Sequence, residues 1–498
     1  MADGKITIQV KWSKEQHQVE IDPSETGLTL KSQLYALTGV PPDRQKWMGV
    51  KAIKTGVLGD DVELGTLGFK QGQRVMLMGT AGELPKEPVK TVFVEDLSAV
   101  DMSKLVEPTH PPGLHNLGNT CYLNATLQCL RSIPELNTSL TSFSGAVTEY
   151  QDRDTNLTAG LRDLFKMLNT HHDTVLPMAF VERFRQDFPQ FAERTEYGWA
   201  QQDADECCGQ VLRSLSQKLP PLSLLSSASS STSSSPSSGN SLVNQLFSGE
   251  MKVRMKCIEE GGEAEEPTEQ YVPFLKLSCY IGSQTNFMLT GLKESMKEPL
   301  HKNSPILGRD ALYEKQQEIS SLPYYLTVQF VRFHWKKGKD VKAKVLRPVE
   351  FPFVLDVFDL CSEELKKKLE VNRKILVARD EARTNLQLAR KDKEKDGMDI
   401  DEDKKKEEEA SLPPLWDQQP MKNETGFYEL FAVLTHKGRS ADSGHYVGWV
   451  KQGEDHWLCY DDEKVTDCRN DDITKLVGKG GADWHMAYIC FYRTKPVQ

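Results

Sequence analysis

Short runs of alternating apolar and polar residues dominate the beginning of the chain. Four such runs predict strands: residues 5–12, 17–21, 45–49 and 74–79. Between the second and third runs, Leu30, Leu34 and Leu37 recur at helical spacing, which predicts a short helix from Thr29 that ends before Gly39. The order strand, strand, helix, strand, strand within about 80 residues is that of a β-grasp domain.

The pattern changes further along the chain. Residues 111–215 carry helical periodicity, whereas 324–335 and 350–358 are apolar runs typical of strands, so we expect an α+β domain with a helical first lobe. Three polar or low-complexity stretches divide the sequence: a proline-containing linker at 81–110 and inserts at 220–241 (serine-rich) and 389–412 (mostly charged). The predicted domains are therefore 1–80 and 111–498, and we expect the inserts to lack a packed core.

Composition narrows the class of protein. The 498 residues carry a formal net charge of -10, which argues against a nucleic-acid partner. No apolar run is long enough to span a bilayer and the start lacks a signal-peptide pattern, so we expect no membrane partner and a cytoplasmic and nuclear location. The ten cysteines show no recurrent spacing, so a special cysteine would be catalytic or a metal ligand.

Cys121 lies where a helix is predicted to begin. It sits in GLHNLGNTCYLNATLQCL (113–130), where Asn119 or Thr120 is suited to cap a helix with an apolar stripe. The first turn of a helix favours a thiolate over a thiol, so an exposed Cys121 would be a nucleophile. The alternative, a buried structural cysteine, is equally compatible with the placement, whereas Cys129 is expected in the core.

A thiol nucleophile needs a base, and His445 is the candidate. It opens a predicted hairpin, GHYVGWVKQGEDHWLCYDDEKV (444–465). A turn centred on Gly453 would place Asp461 directly opposite His445, where its carboxylate would fix the imidazole; a two-residue turn would place Asp462 there instead. The remaining alternative is an ordinary surface hairpin.

Hydrolysis through a thiolate also needs hydrogen-bond donors for the oxyanion. The side-chain amide of Asn116, five residues before Cys121, is one candidate, and the Cys121 backbone N–H is a second. Asn116 could equally serve only as the former of an Asx turn.

These motifs resemble a known family. The segments GLHNLGNTCYLN, QQDADECC (201–208), GHYVGWV and YDDEKV are similar to the boxes of the ubiquitin-specific protease family of deubiquitinases. The first 80 residues resemble ubiquitin-like domains, most specifically in TGVPPDRQK (38–46), and the chain as a whole resembles the proteasome-associated member of the family. Because the last strand runs into MGTAGELPKEP without a Gly-Gly end, we expect a docking module and not a conjugated tag.

The resemblance implies a papain-like cysteine protease domain with fingers, palm and thumb. It assigns Cys121 as nucleophile, His445 as base, Asp461 as third member and Asn116 as oxyanion donor. It also assigns contacts with the ubiquitin tail to Gln202, Asp203, Glu206 and Tyr446. Asp203 and Glu206 at i, i+3 would lie on one helix face and grip arginines, or be merely a solvated face.

Two departures from the family matter. Its finger zinc needs two CxxC pairs, whereas this region offers only Cys257 and Cys279, so we expect no metal and no cofactor. The basic loop 334–344 and the segment 438–443 before His445 are expected to cover the groove for the ubiquitin tail. The expected partners are ubiquitin, its conjugates and the regulatory particle of the proteasome, with a monomer when free. The main alternative is a non-catalytic ubiquitin-binding scaffold on the proteasome.

Overall fold

The structure is a computed structural model. It describes residues 5–53, 55–79, 110–196, 198–222, 241–262, 264–336, 341–395, 421–440 and 443–496. The chain divides into two compact units, Met1–Glu107 and Pro108–Gln498, and each is described on its own. Residues 81–109 of the predicted linker 81–110 and most of both predicted inserts lie outside the described residues.

The first unit is a small sheet with one helix across it. Its elements are β1 (Ile6–Trp12), β2 (Glu15–Ile21), α1 (Gly27–Thr38), β3 (Lys46–Met48) and β4 (Arg74–Met78), with short 3-10 helices at Pro42–Arg44 and Leu64–Leu67. The strand order is β2-β1-β4-β3, with β1 and β4 parallel. Leu30 and Leu34 of the helix pack with Ile8, Val10 and Trp47 of the sheet, which confirms the β-grasp order. Leu37, the third residue of the predicted apolar spacing, is exposed.

The second unit begins with a helical lobe. Its helices are α2 (Cys121–Arg131), α3 (Pro134–Ser142), α4 (Arg153–Thr170), α5 (Met178–Asp187), α6 (Ala204–Lys218) and α7 (Leu242–Phe247), and a two-stranded hairpin, β5 (Arg194–Thr195) with β6 (Gly198–Trp199), lies between α5 and α6. Every residue of α2 except Arg131 is buried, so this helix forms the centre of the lobe.

A ten-stranded sheet faces the helical lobe. Its strands are β9 (Leu277–Tyr280), β12 (Tyr325–Val331), β13 (Phe333–Lys336), β14 (Val341–Lys344), β15 (Val354–Asp356), β16 (Phe427–Ser440), β17 (Ser443–Lys451), β18 (Trp457–Asp461), β19 (Lys464–Cys468) and β20 (Met486–Thr494). The main order is β19-β18-β17-β16-β20-β12-β9, with β14 and β15 attached to β16. Two hydrophobic cores result, one shared with the helices and one on the sheet's other side.

Helix α2 lies directly on β17. A Cβ atom at Gly448 would stand 3.1 Å from the Ala125 carbonyl oxygen and 3.3 Å from Cys129 Sγ, so glycine is needed for this close approach. Because β17 begins with the segment that contains His445, this packing brings the start of α2 and the start of β17 together.

A separate four-stranded sheet projects from the same unit. It contains β7 (Gly249–Cys257), β8 (Thr268–Phe274), β10 (Lys297–Ser304) and β11 (Arg309–Ser321) in the order β10-β11-β7-β8, and the short helix α8 (Met288–Ser295) precedes β10. Helical lobe, large sheet and projecting sheet correspond to the predicted thumb, palm and fingers, and the α+β class is confirmed. Cys257 packs in a small core with Ala311 and Tyr313, whereas Cys279 belongs to a core of the large sheet.

The longest helix of the second unit was not predicted. α9 (Glu363–Lys395) runs into the charged insert that we expected to lack structure from residue 389 onward. A helix of this kind needs little core, because charged residues at helical spacing support one another along its length. The remaining helix, α10 (Asn470–Lys475), is short, and none of the described helices combines the length and apolarity of a membrane span.

Candidate active site

Cys121 is the first residue of α2, as predicted, but it is not exposed. Its relative exposure is 2%, so of the two placements considered for it the structure shows the buried one. The side-chain amide of Gln201 covers the sulfur, with Nε2 at 3.3 Å, and the backbone N–H of Tyr446 donates to Sγ at 3.5 Å. Thr120 occupies the N-cap position without capping the helix, because its hydroxyl accepts the Leu117 N–H instead.

His445 and Asp461 are in direct contact. His445 Nε2 lies 2.5 Å from Asp461 Oδ1. The predicted register was nevertheless wrong: Lys451 pairs with Trp457 and Gly448 with Tyr460, so the turn is centred on Glu454 and not on Gly453. Continued by one step, this register places Asp461 opposite Val447, diagonal to His445. Diagonal neighbours two residues apart share a sheet face, which is why the contact still forms.

The electrostatics of this cluster favour a charged imidazole. The Asp461 carboxylate, followed by the Cys121 sulfur, raises the pKa of His445 to about 10, and the hydrogen bond from His445 lowers the pKa of Asp461. The imidazole is therefore held between the carboxylate and the sulfur. This is the arrangement of nucleophile, base and orienting acid that thiol hydrolysis requires.

Asp462 has a different task from Asp461. It stands at φ +49° in the two-residue turn between β18 and β19, and its carboxylate accepts the side-chain amides of Asn116 and Asn124, each at 2.8 Å. Burial raises the pKa of Asp462. Asp462 therefore ties the turn of the hairpin to α2 and to the loop before it, and the described residues show no hydrogen bond between its carboxylate and the imidazole of His445.

Asn116 has the turn-forming role considered for it and keeps an amide hydrogen for the other role. Its Oδ1 accepts the backbone N–H groups of Gly118 at 3.0 Å and Thr120 at 3.2 Å, which is a turn-forming role. Its Nδ2 donates one hydrogen to Asp462, and an amide nitrogen carries two. The second hydrogen leaves Asn116 compatible with oxyanion binding.

The residues assigned to the ubiquitin tail are in varied environments. Asp203 is the N-cap of α6, three residues before Glu206 in the first turn, and its carboxylate accepts the hydroxyl of Tyr488 at 2.8 Å. That the two acidic side chains share one face and grip arginines stays a prediction. Glu206 is exposed, whereas Tyr446 is buried. Tyr446 Oη and Gln202 Nε2 are buried and have no hydrogen-bond partner among the described residues.

Gln201, and not Gln202, lies beside the sulfur. Sequence reasoning selected the second glutamine of QQDADECC, although the first lies two residues before the N-cap Asp203 and contacts Cys121. Asn124 was missed as well. The available signal was a side-chain amide one turn after Cys121, although Thr126 and Gln128 are buried polar residues of the same helix as well.

A buried basic pair lies behind the site. Lys344 Nζ donates to the His436 carbonyl oxygen at 2.7 Å and lies 2.9 Å from His436 Nδ1. Burial, followed by the Arg332 charge, lowers the pKa of Lys344 to about 7, and burial, followed by Lys344, lowers that of His436 to about 3. His436 pairs with Tyr446 across β16 and β17, so the pair is linked to the backbone that contacts Cys121.

The two segments expected to cover the tail groove are neighbours. The hairpin of β13 and β14 joins the end of β16 through the pairing of Ala343 with Ser440. Residues 337–340 and 441–442, the tips of these segments, lie outside the described residues.

A metal ion is bound by a group of side chains whose ligand atoms lie close together. Within the described ranges, the one such group is His445, Asp461 and Asp462, which is the candidate catalytic cluster itself. Cys257 and Cys279 belong to different cores, so they do not form a common site.

Fold and site together define a cysteine hydrolase of mixed α and β structure. The family model described as "Ubiquitin carboxyl-terminal hydrolase" matches residues 112–492, and the model "Ubiquitin family" matches 6–82. The chain belongs to the ubiquitin carboxyl-terminal hydrolase family, and the predicted cysteine-type ubiquitin hydrolase with an N-terminal ubiquitin-like domain is confirmed.

Similar proteins extend over the whole chain. The chain is 43% identical to "Ubiquitin carboxyl-terminal hydrolase 6" of Arabidopsis thaliana, with 98% of this chain and 99% of the relative covered. It is 37% identical to a protein of the same name in Schizosaccharomyces pombe, with 99% of each covered. It is 35% identical to "Ubiquitin carboxyl-terminal hydrolase 14" of Caenorhabditis elegans, with 99% of this chain and 94% of the relative covered.

Proposed function

We propose that this protein is a proteasome-associated deubiquitinase that hydrolyses isopeptide bonds after the C-terminal glycine of ubiquitin and so recycles ubiquitin from conjugates. The observation that carries the proposal is the position of His445, between the Asp461 carboxylate at 2.5 Å and the sulfur of Cys121. A ubiquitin-binding scaffold would have no need of this arrangement.

The chemistry follows from these side chains. Cys121, as thiolate, attacks the carbonyl carbon of the terminal glycine, and the imidazolium of His445 gives its proton to the departing lysine amine. Water, deprotonated by His445, then attacks the thioester and releases ubiquitin. Asp461 holds the imidazole in orientation and stabilises its charged form.

The developing oxyanion needs donors close to the sulfur. The Cys121 backbone N–H, at the start of α2, is one, and the second Nδ2 hydrogen of Asn116 is the other. The contacts of Asn116 with Gly118, Thr120 and Asp462 hold its amide in one orientation. A preoriented donor needs little rearrangement during the reaction, which is the source of its effect.

Contacts with the ubiquitin tail are proposed for Gln202, Asp203, Glu206 and Tyr446. Exposed Glu206 would pair with an arginine of the tail, and Asp203 would do so while keeping its hydrogen bond from Tyr488. Gln202 Nε2 and Tyr446 are buried, so the ubiquitin tail would reach them only once the covering segments have opened.

The ubiquitin-like domain is proposed to dock on the regulatory particle of the proteasome. We also propose that the free protein is a monomer and that it is located in the cytoplasm and the nucleus. Tethering by a short linker raises the local concentration near conjugates to the order of millimolar. Docking does not by itself alter chemistry. We infer that the segments 334–344 and 438–443 cover the tail groove in the free protein, and that the proteasome favours the open form by its differential affinity.

The test is hydrolysis of a fluorogenic ubiquitin C-terminal amide over a titration of proteasomes. Full-length protein and a variant lacking residues 1–80 are compared, and Cys121→Ser measures the background that the proteasomes contribute. We expect low activity alone, strong stimulation by proteasomes, and a higher half-maximal proteasome concentration for the truncated variant. Hydrolysis by Cys121→Ser at the wild-type rate would refute the mechanism. Equal rates for the full-length and truncated proteins, without stimulation by proteasomes, would refute only docking and gating.

A further inference from the structure

Trp199 lies between two guanidinium groups beside the loop that leads to Cys121. The guanidinium carbon of Arg185 is 4.2 Å from the centre of the Trp199 ring and that of Arg194 is 4.1 Å from it. Such contacts bind a cation to an aromatic face, and both hold this ring in place. We call Arg185, Arg194 and Trp199 the tryptophan clamp.

The clamp contacts two consecutive residues of the loop. Arg185 Nη2 donates to the Gly118 carbonyl oxygen at 3.1 Å, and Asn119 Nδ2 donates to the Trp199 carbonyl oxygen at 2.8 Å. Gly118 has φ +82° and Asn119 has φ +52°. Glycine and asparagine both tolerate the left-handed conformation, so these two residues can form the turn, and the two hydrogen bonds from the clamp fix its position.

This turn decides where the reactive groups point. Cys121 follows Asn119 by two residues, and the direction of its backbone N–H depends on the turn that begins α2. The other end of the clamp leads to the same sulfur, because Gln201 follows Trp199 by two residues and its Nε2 lies 3.3 Å from Cys121 Sγ. The clamp thus connects both segments that surround the sulfur.

Arg185 has no counterion that would explain its burial. It is 8% exposed, no carboxylate of the described residues pairs with it, and its Nε has no hydrogen-bond partner among them. A buried charge without an acid is costly, which argues against a role in stability alone. Its contacts are instead the Trp199 ring and the Gly118 carbonyl oxygen.

We propose that Trp199, held by Arg185 and Arg194, is a positioning residue for the hydrolysis: it fixes the Gly118–Asn119 turn and thereby the oxyanion donors next to Cys121. This inference rests on the proposed function and assigns residues to it. The clamp touches neither the imidazole nor the carboxylate of Asp461. Its loss should therefore affect stabilisation of the oxyanion and leave the binding of ubiquitin unchanged.

The experiment compares kcat and KM of Trp199→Ala, Trp199→Phe and Arg194→Ala on the ubiquitin amide, with equal amounts of proteasomes and the Cys121→Ser background subtracted. Misplaced catalytic groups cost on the order of 10-fold to 100-fold in rate, so we expect a loss of that size in kcat for Trp199→Ala. We expect KM to stay within about twofold, and Trp199→Phe, which keeps a ring, to retain most of the activity. Arg194 is exposed, so Arg194→Ala tests the clamp without disturbing the core.

Two further measurements separate positioning from general damage. Inhibition by ubiquitin with a C-terminal aldehyde, whose adduct carries the oxyanion, should weaken in parallel with kcat, while the Kd of unmodified ubiquitin does not change. Arg153→Ala is the matched control, because Arg153 stacks on Phe188 at 5.5 Å away from the loop. The proposal fails if Trp199→Ala and Arg194→Ala keep the wild-type kcat, or if the loss lies wholly in KM or in Tm. Wild-type activity no higher than that of Cys121→Ser would instead overturn the proposed function.

Discussion

His445 Nε2 lies 2.5 Å from Asp461 Oδ1 along a diagonal of the β17–β18 hairpin. The hydrogen bond raises the pKa of His445 to about 10. Asp462, the next residue, is bound by Asn116 and Asn124 instead. Two adjacent carboxylates therefore serve two different parts of the site.

The first prediction concerns the nucleophile. Cys121→Ser should abolish covalent capture by a ubiquitin probe with a C-terminal electrophile, because the sulfur is the only atom removed from the cluster. Cys129→Ser should still be captured, since Cys129 lies two turns further along α2 and burial raises the pKa of its thiol. The assignment is wrong if Cys121→Ser forms the adduct and Cys129→Ser does not.

The second prediction separates the two carboxylates by pH. Asp461→Asn should lower kcat by orders of magnitude, as loss of the orienting acid does in other triads, and should lower the pKa of His445. The alkaline limb of the rate profile, set by loss of the imidazolium proton, should then move to lower pH. A pH titration of kcat/KM measures this shift.

Asp462→Asn provides the comparison. Asparagine tolerates positive φ, so the turn is kept, but one acceptor for Asn116 or Asn124 becomes a donor. We expect reduced kcat with the alkaline limb in its wild-type position. If that limb shifts in Asp462→Asn and not in Asp461→Asn, then Asp462 and not Asp461 orients the imidazole.

The third prediction concerns the two glutamines before α6. Gln201→Ala should lower kcat more than Gln202→Ala, because only the Gln201 amide contacts the Cys121 sulfur. Loss of a side-chain donor near the reacting atoms costs roughly 10-fold to 1,000-fold in other hydrolases. Gln202→Ala is the matched control and should act mainly on KM, through the ubiquitin tail. Equal kcat values for the two variants would contradict this division.

The fourth prediction is a dependence of stability on pH. The pKa of Lys344 falls from 10.5 to about 7 on folding, so between these values the unfolded chain binds more protons. The contribution of Lys344 to the free energy of unfolding therefore rises with pH in this window, by at most about 1.4 kcal/mol per pH unit for one proton. Lys344→Met should remove this rise.

Urea unfolding at pH 7 and pH 9 checks the fourth prediction. Lys374→Met is the control, because the Lys374 side chain is 79% exposed and should leave the slope unchanged. An identical slope for wild type and Lys344→Met would show that Lys344 keeps its proton in both states.

Local patterns were sufficient for much of this protein. Apolar spacing predicted the elements of the first unit, and it placed Cys121 at the start of a helix, because periodicity and helix-start signals act over a few residues. Asp461 still contacts His445 despite the wrong register, because side chains alternate between the two faces of a sheet. A turn centre displaced by one residue moves the residue opposite His445 by two positions, and residues two apart share a face. The family resemblance supplied the remaining roles.

Contacts between distant segments were decided by the tertiary structure. Four features join segments up to 346 residues apart. They are the burial of Cys121, the contact of its sulfur with Gln201 and not Gln202, the hydrogen bonds of Asp462 to two asparagines, and the hydrogen bond from Tyr488 to Asp203. No local pattern encodes such contacts, because they depend on how α2 packs against β17 and on the turn lengths around it. The sequence by itself determined which groups could react, and only the packing of helical lobe on sheet decided their distances and their charge.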